Sequence, residues 1–104
     1  MRPTSRVTVV RLYASLRELA GEREIDLALP DGATVGDLLK RLVEVRPGLA
    51  PRLLDEDGNI PRFVNVFVNG RDVRYLSGLD TPVMPDDEVV ILPPAAGGRL
   101  GSTR

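Results

Sequence analysis

Two kinds of residue grouping in this chain could do chemistry. One is acidic: Asp55-Glu56-Asp57-Gly58-Asn59 and Asp86-Asp87-Glu88 each crowd carboxylates into a few positions. The other is a piece of backbone, Pro93-Pro94-Ala95-Ala96-Gly97-Gly98, directly after the apolar run Val89-Val90-Ile91-Leu92. Catalytic carboxylates need burial or a close like charge to move their pKa. A Gly-Asn loop supplies neither, so the first acidic group reads as a solvated turn. The second reads as the tight turn before a closing strand. The di-glycine is different. Pro93 and Pro94 have no amide donor and a fixed φ, so a strand ladder must stop there. They stiffen the exit into a short polyproline-like stalk. Ala95 and Ala96 are small, and Gly97 and Gly98 carry no Cβ, so this backbone can enter a narrow channel and present its carbonyl unhindered. That suits a terminus on which another enzyme does chemistry. A Gly-Gly alone is a weak signal and reads more readily as a floppy tail; its place directly after the last strand of a small domain raises the chemical reading.

Composition narrows the classes. With 104 residues there is room for one domain and one modest core. There is no Cys, hence no disulfide framework, thiolate metal site or cysteine nucleophile, and no His, the commonest general base and metal ligand. The formal net charge of -1 predicts no general attraction to nucleic acid or to an anionic membrane. No apolar run is long enough to span a bilayer and the N-terminus shows no signal-peptide core, so a soluble cytoplasmic protein is expected. Lys40 is the only lysine, and so the only side-chain amine available for self-conjugation.

The elements that would position the tail follow from periodicity. Val7 to Tyr13 reads as a strand, with Val10 and Leu12 on one face and Arg11 on the other. Ser15 with Glu18 forms a capping-box pattern, predicting a helical turn over 15–20 that ends at Gly21. Arg23 to Leu29 alternates, placing Ile25, Leu27 and Leu29 together. Too few residues separate these strands for a parallel crossover, so they form a hairpin. Pro30-Asp31-Gly32 is a turn. Thr34 then caps the main helix, with Asp37 three residues on. Val35, Leu38, Leu39 and Leu42 make one apolar stripe, while Gly36, Asp37, Lys40, Arg41 and Glu44 make the wet face. Pro47-Gly48 ends the helix, and 50–61 reads as a turn-rich connection.

Phe63 to Asn69 alternates strictly. Val64, Val66 and Val68 should face the core, leaving Phe67 toward solvent. Asn69-Gly70 is a strong hairpin signal, pairing Arg71-Asp72-Val73 back as a short strand. Ser77 to Met84 is irregular or one helical turn, and Glu88 to Leu92 is the closing strand. A hairpin, a crossing helix and a second group of strands, with the first strand parallel to the last, define an α+β, ubiquitin-like β-grasp: a mixed sheet with one main helix packed on one face. The other face is bare. If Val90 and Leu92 lie outward beside Phe67, the three make a docking surface. The expected organisation is a flexible N-terminus at 1–6, a β-grasp domain at 7–94, a flexible di-glycine tail at 95–98 and a removable extension at 99–104.

Several segments resemble a known family. Leu12-Tyr13-Ala14-Ser15-Leu16-Arg17-Glu18-Leu19-Ala20-Gly21 is similar to the opening of the molybdopterin synthase small subunit, and Thr34-Val35-Gly36-Asp37-Leu38-Leu39 to the helix start of ubiquitin-like sulfur carriers. Arg62-Phe63-Val64-Asn65-Val66-Phe67-Val68-Asn69, Gly78-Leu79-Asp80-Thr81 and the run from Ile91 to Gly98 resemble the branch that serves thiocarboxylate-dependent cysteine biosynthesis. The resemblance spans Val7 to Gly98. It implies that the chain is no enzyme and binds no cofactor or metal of its own. Its Gly98 carboxylate would be adenylated, with ATP, by a ubiquitin-activating-like adenylyltransferase, and sulfur would displace AMP to leave a thiocarboxylate. The sulfur acceptor would be a cysteine-synthase-like enzyme or the molybdopterin synthase large subunit.

The chain departs from the mature pattern in one respect. Arg99-Leu100-Gly101-Ser102-Thr103-Arg104 follows Gly98, so Gly98 has no free carboxylate until the chain is cut between Gly98 and Arg99. The resemblance implies a zinc metalloprotease of the deubiquitinase-like type for that cut. Two other readings stay open: a ubiquitin-like modifier joined to target lysines through Gly98, which shares the activation chemistry, and a binding module with no terminal chemistry, which the uncut tail suits.

Overall fold

The computed structural model describes residues 7–62 and 64–93. Five strands form one sheet in the order β2-β1-β5-β3-β4. These are β1 (Thr8–Leu12), β2 (Glu24–Leu27), β3 (Asn65–Val68), β4 (Arg71–Asp72) and β5 (Glu88–Leu92). β1 pairs antiparallel with β2 and parallel with β5; β3 is antiparallel to both β5 and β4. The main helix, α2 (Val35–Val45), supplies Val35, Leu38, Leu39 and Leu42 to the core, all fully buried with Val10, Leu12, Val66, Val89 and Ile91. This is the β-grasp arrangement expected from the element order. Burying each of those large side chains contributes about 1.5–3 kcal/mol.

The start of α2 is fixed twice. The Thr34 side chain accepts from the Asp37 amide at 3.3 Å, and the Asp37 carboxylate accepts from the Thr34 amide at 3.0 Å, a complete capping box. The Val35 amide also donates to the Thr81 carbonyl at 2.9 Å, and Val83 donates to Ala33 at 3.0 Å. The segment before β5 therefore clamps the helix onto the sheet.

Four local expectations need correction. The first helix, α1, is Ala14–Ala20; its N-cap is the extended Tyr13, and no side chain caps it. Ser15 lies inside the first turn, not at the cap, because Leu12 ends β1 and Leu16 must reach the core, where it is fully buried. The reversal falls on Ala14, a non-glycine residue at φ 51°. Gly36 is not on the wet face: a Cβ there would lie 3.4 Å from the Leu79 carbonyl, so the helix packs closely on the 3₁₀ turn Gly78–Asp80. Residues 47–53 are helical, a 3₁₀ turn (Pro47–Leu49) running into α3 (Ala50–Leu53), because Leu49 and Leu53 are both buried in the core. Val73 starts a 3₁₀ turn instead of extending β4. Gly21 takes the left-handed conformation expected of it, at φ 79°, and closes α1 by donating to the Arg17 carbonyl.

Candidate functional site

β5 is the element that matters for the tail. It occupies the middle of the sheet, between β1 and β3, and the sequence runs from its last residue, Leu92, through Pro93 to Gly98. Gly98, Gly97, Ala96, Ala95 and Arg99 lie outside the described residues, as do the expected cleavage point and the boundaries at 94–95 and 98–99.

The register brings together the three residues expected to form a docking surface. Phe67 on β3 is the Cα partner of Val90 on β5, and Asn65 is the partner of Leu92. Alternation along each strand sends Val66, Val68, Val89 and Ile91 into the core, where all are buried. Phe67, Val90 and Leu92 are partly exposed on the opposite face. On β1, Arg11 is the partner of Val90 and stands beside the patch. Its Nε lies 3.1 Å from Glu24 Oε2 and 3.0 Å from Glu88 Oε2, tying β2, β1 and β5 together across this face. The guanidinium makes ion pairs there without aligning Nε for a hydrogen bond to either carboxylate. The result is an apolar strip edged by a fixed ion-pair group.

The two ends of the patch are anchored differently. At the start of β3, Arg74 gathers the loop: its guanidinium donates to Asn65 Oδ1 at 2.6 Å and to the carbonyls of Pro61 at 2.9 Å and Val64 at 2.7 Å, and also to that of Arg62. At the other end, Asn69 and Gly70 turn the β3–β4 hairpin at φ 52° and 86°. Asn69 Nδ2 donates to Asp87 Oδ1 at 2.8 Å, and Asn69 Oδ1 accepts from the Glu88 amide at 3.0 Å. Asp87 Oδ2 in turn accepts from the Met84 amide at 2.8 Å. Sequence reasoning missed both clasps, since each joins segments far apart in the chain.

The acidic groups are occupied with turn geometry. Asp55 Oδ1 accepts from the amides of Asp57 and Asn59, both at 2.9 Å, closing its own loop. Asp87 serves the clasp just described. Among the described residues no group of three or more His, Cys, Asp or Glu side chains is placed to hold a metal ion, and no helix is long and apolar enough to cross a membrane.

A β-grasp sheet whose central strand leads into a di-glycine segment defines the class of small ubiquitin-like carriers and modifiers. The chain belongs to the ThiS family, whose sequence pattern matches residues 10–98. It is similar to small archaeal modifier protein 3 of Haloferax volcanii, 44% identical over 89 residues that make up 86% of this chain and 96% of the relative. It is also similar to the sulfur carrier protein CysO of Mycobacterium tuberculosis, 42% identical over 69 residues, 64% of this chain and 74% of the relative. The crystal structure of SAMP1 from Haloferax volcanii superposes with a TM-score of 0.80 at 34% identity, covering 88% of this chain and 99% of that one.

Proposed function

We propose that this protein is a sulfur carrier that acts through the carboxylate of Gly98 after removal of residues 99–104. An activating enzyme related to ubiquitin-activating enzymes joins that carboxylate to AMP from ATP, releasing pyrophosphate. The acyl-adenylate supplies the leaving group a carboxylate lacks, and sulfur displaces AMP to give a thiocarboxylate. The chain itself is substrate, not catalyst: it has no Cys or His, and its described acidic turns hold loops together. The observation that carries this reading is the placement of Phe67, Val90 and Leu92 as one strip on the strand pair that leads to the tail. A partner gripping that strip holds the root of the tail in fixed register with its own active site. Phe67 is the anchor, since aromatic residues dominate small interfaces.

The sulfur is destined for a cysteine-synthase-like enzyme in the cytoplasm, the similarity to CysO being the support for that acceptor over a molybdopterin synthase large subunit. A zinc metalloprotease cuts between Gly98 and Arg99. One such enzyme serves twice, because cysteine delivered to the acyl carbon takes the position of Arg99. A second reading has a specific observation behind it. The similarity to small archaeal modifier protein 3 extends over 89 residues, and a modifier would pass the same adenylate to a lysine amine.

The test is a chain ending at Gly98, incubated with ATP, the activating enzyme of the source organism and a sulfide donor. Intact mass should show one carboxylate oxygen replaced by sulfur. Linkage to lysines of other proteins instead selects the modifier reading. No change at all selects a binding module.

A further inference from the structure

A cleft of about 200 Å³ opens at the end of the sheet from which the tail departs, lined by Arg11, Tyr13, Arg17, Arg23 and Glu24 with Leu12 at its base. Its place follows from two pairings. β1 runs parallel to β5 with Leu12 opposite Ile91, so Tyr13 is level with Leu92. The Leu12 amide donates to the Arg23 carbonyl at 2.9 Å, which brings Arg23 to the same end. Tyr13 is 44% exposed there.

The arginines of this cleft are not equivalent. Arg11 is neutralised by Glu24 and Glu88, as Arg46 is by Glu22 and Arg41 by Glu44. Arg17 and Arg23 form no ion pair with any carboxylate among the described residues. In a chain of net charge -1, two guanidinium groups with no ion-pair partner among the described residues face one cleft, and they outweigh the single surplus carboxylate of the Arg11–Glu24–Glu88 group. A planar guanidinium fork matches a carboxylate with two parallel hydrogen bonds.

We infer that Arg17 and Arg23, with Tyr13, receive acidic side chains of the activating enzyme that adenylates the tail, forming a charged rim beside the apolar strip of Phe67, Val90 and Leu92. This rests on the proposed function and adds the partner's chemistry: a channel mouth bearing Asp or Glu. Glu24 within the cleft and Glu88 on the adjoining face leave room for single carboxylates placed on Arg17 and Arg23, and disfavour a phosphate backbone, whose continuous row of charge would bring further anions against them. Charges at a rim act on encounter more than on the chemical step, and their effect fades with salt.

Adenylation of chains ending at Gly98 by the source organism's activating enzyme tests this. Arg17→Glu and Arg23→Glu should each raise KM about tenfold or more with kcat unchanged, and the pair should flatten the salt dependence of kcat/KM. Arg71→Glu makes the same charge change on β4, at the far edge of the sheet, and should stay within about twofold of wild type. Arg17→Gln and Arg23→Gln should give intermediate values, with unfolding midpoints matching wild type in all variants. A wild-type chain that is adenylated while both reversals leave KM and salt dependence unchanged overturns the inference alone. An equal effect from Arg71→Glu also overturns it, by showing a response to overall charge. Retardation of a single-stranded RNA that is lost in the double reversal, with KM unchanged, overturns it in favour of nucleic acid. A wild-type chain that is never adenylated overturns the proposed function and this inference with it.

Discussion

Phe67 and Val90 stand directly opposite one another across the antiparallel β3–β5 pair, on the face of the sheet opposite α2. Paired aromatic and β-branched residues contribute about 0.2–1 kcal/mol to sheet stability, yet both side chains remain partly exposed. Their neighbours one step along, Val66, Val68, Val89 and Ile91, carry the core. The outer pair is thus free to serve recognition without much consequence for folding.

Replacing Phe67 by Ala should separate the two roles. Docking to the activating enzyme should weaken by about 2 kcal/mol, roughly 30-fold in Kd, while the loss of folding stability stays near 1 kcal/mol or less. Titration calorimetry alongside thermal unfolding measures both. Unchanged affinity would remove the strip from the interface.

At the tail, Gly98→Ala should impair both adenylation of the trimmed chain and cleavage of the full-length one. A Cβ beside the reacting carbonyl crowds each active site. Single-turnover mass spectrometry with the activating enzyme and with the protease reads the two steps separately. Endogenous protein should end at Gly98; a population that retains Arg104 throughout would contradict the processing step.

Thr34→Ala removes the oxygen that caps the Asp37 amide at the start of α2. The expected cost is about 1 kcal/mol, or about 5 °C in the unfolding midpoint of a domain this size. Docking through the sheet face opposite α2 should be unaffected at temperatures where the variant is folded.

Asn69 does two jobs, holding a left-handed φ of 52° and clasping Asp87 and Glu88. Asn69→Gly keeps the backbone freedom and loses the clasp, and should cost about 1 kcal/mol. Asn69→Ala loses the clasp and adds left-handed strain, for roughly 1 kcal/mol more. Chemical denaturation of the two variants gives the difference. Equal losses would mean that the hairpin adjusts its turn.

The sequence alone determined whatever depends on near neighbours. The 3.6-residue spacing of Val35, Leu38, Leu39 and Leu42 specifies a one-sided helix, the Thr34–Asp37 spacing specifies its cap, and Asn69-Gly70 specifies a hairpin. The strict alternation from Val64 to Val68 also indicates which set turns inward, so Phe67 could be placed outside before any strand was paired. Local rules failed where burial outweighed them. Ser15 has the right partner at Glu18 for a cap, but the need to bury Leu16 one turn after β1 puts the helix start at Tyr13–Ala14. Leu49 and Leu53 are buried at helical spacing across Pro47, Gly48 and Pro51, whose turn-forming character masked the helix. Only the tertiary structure decided which distant residues share a surface. Strand register sets Phe67 beside Val90 and Leu12 beside Ile91, and with them the Arg17–Arg23 cleft beside the root of the tail. Register is fixed by simultaneous packing of side chains from four strands against α2 and its neighbouring helices, and no short stretch of sequence contains that information.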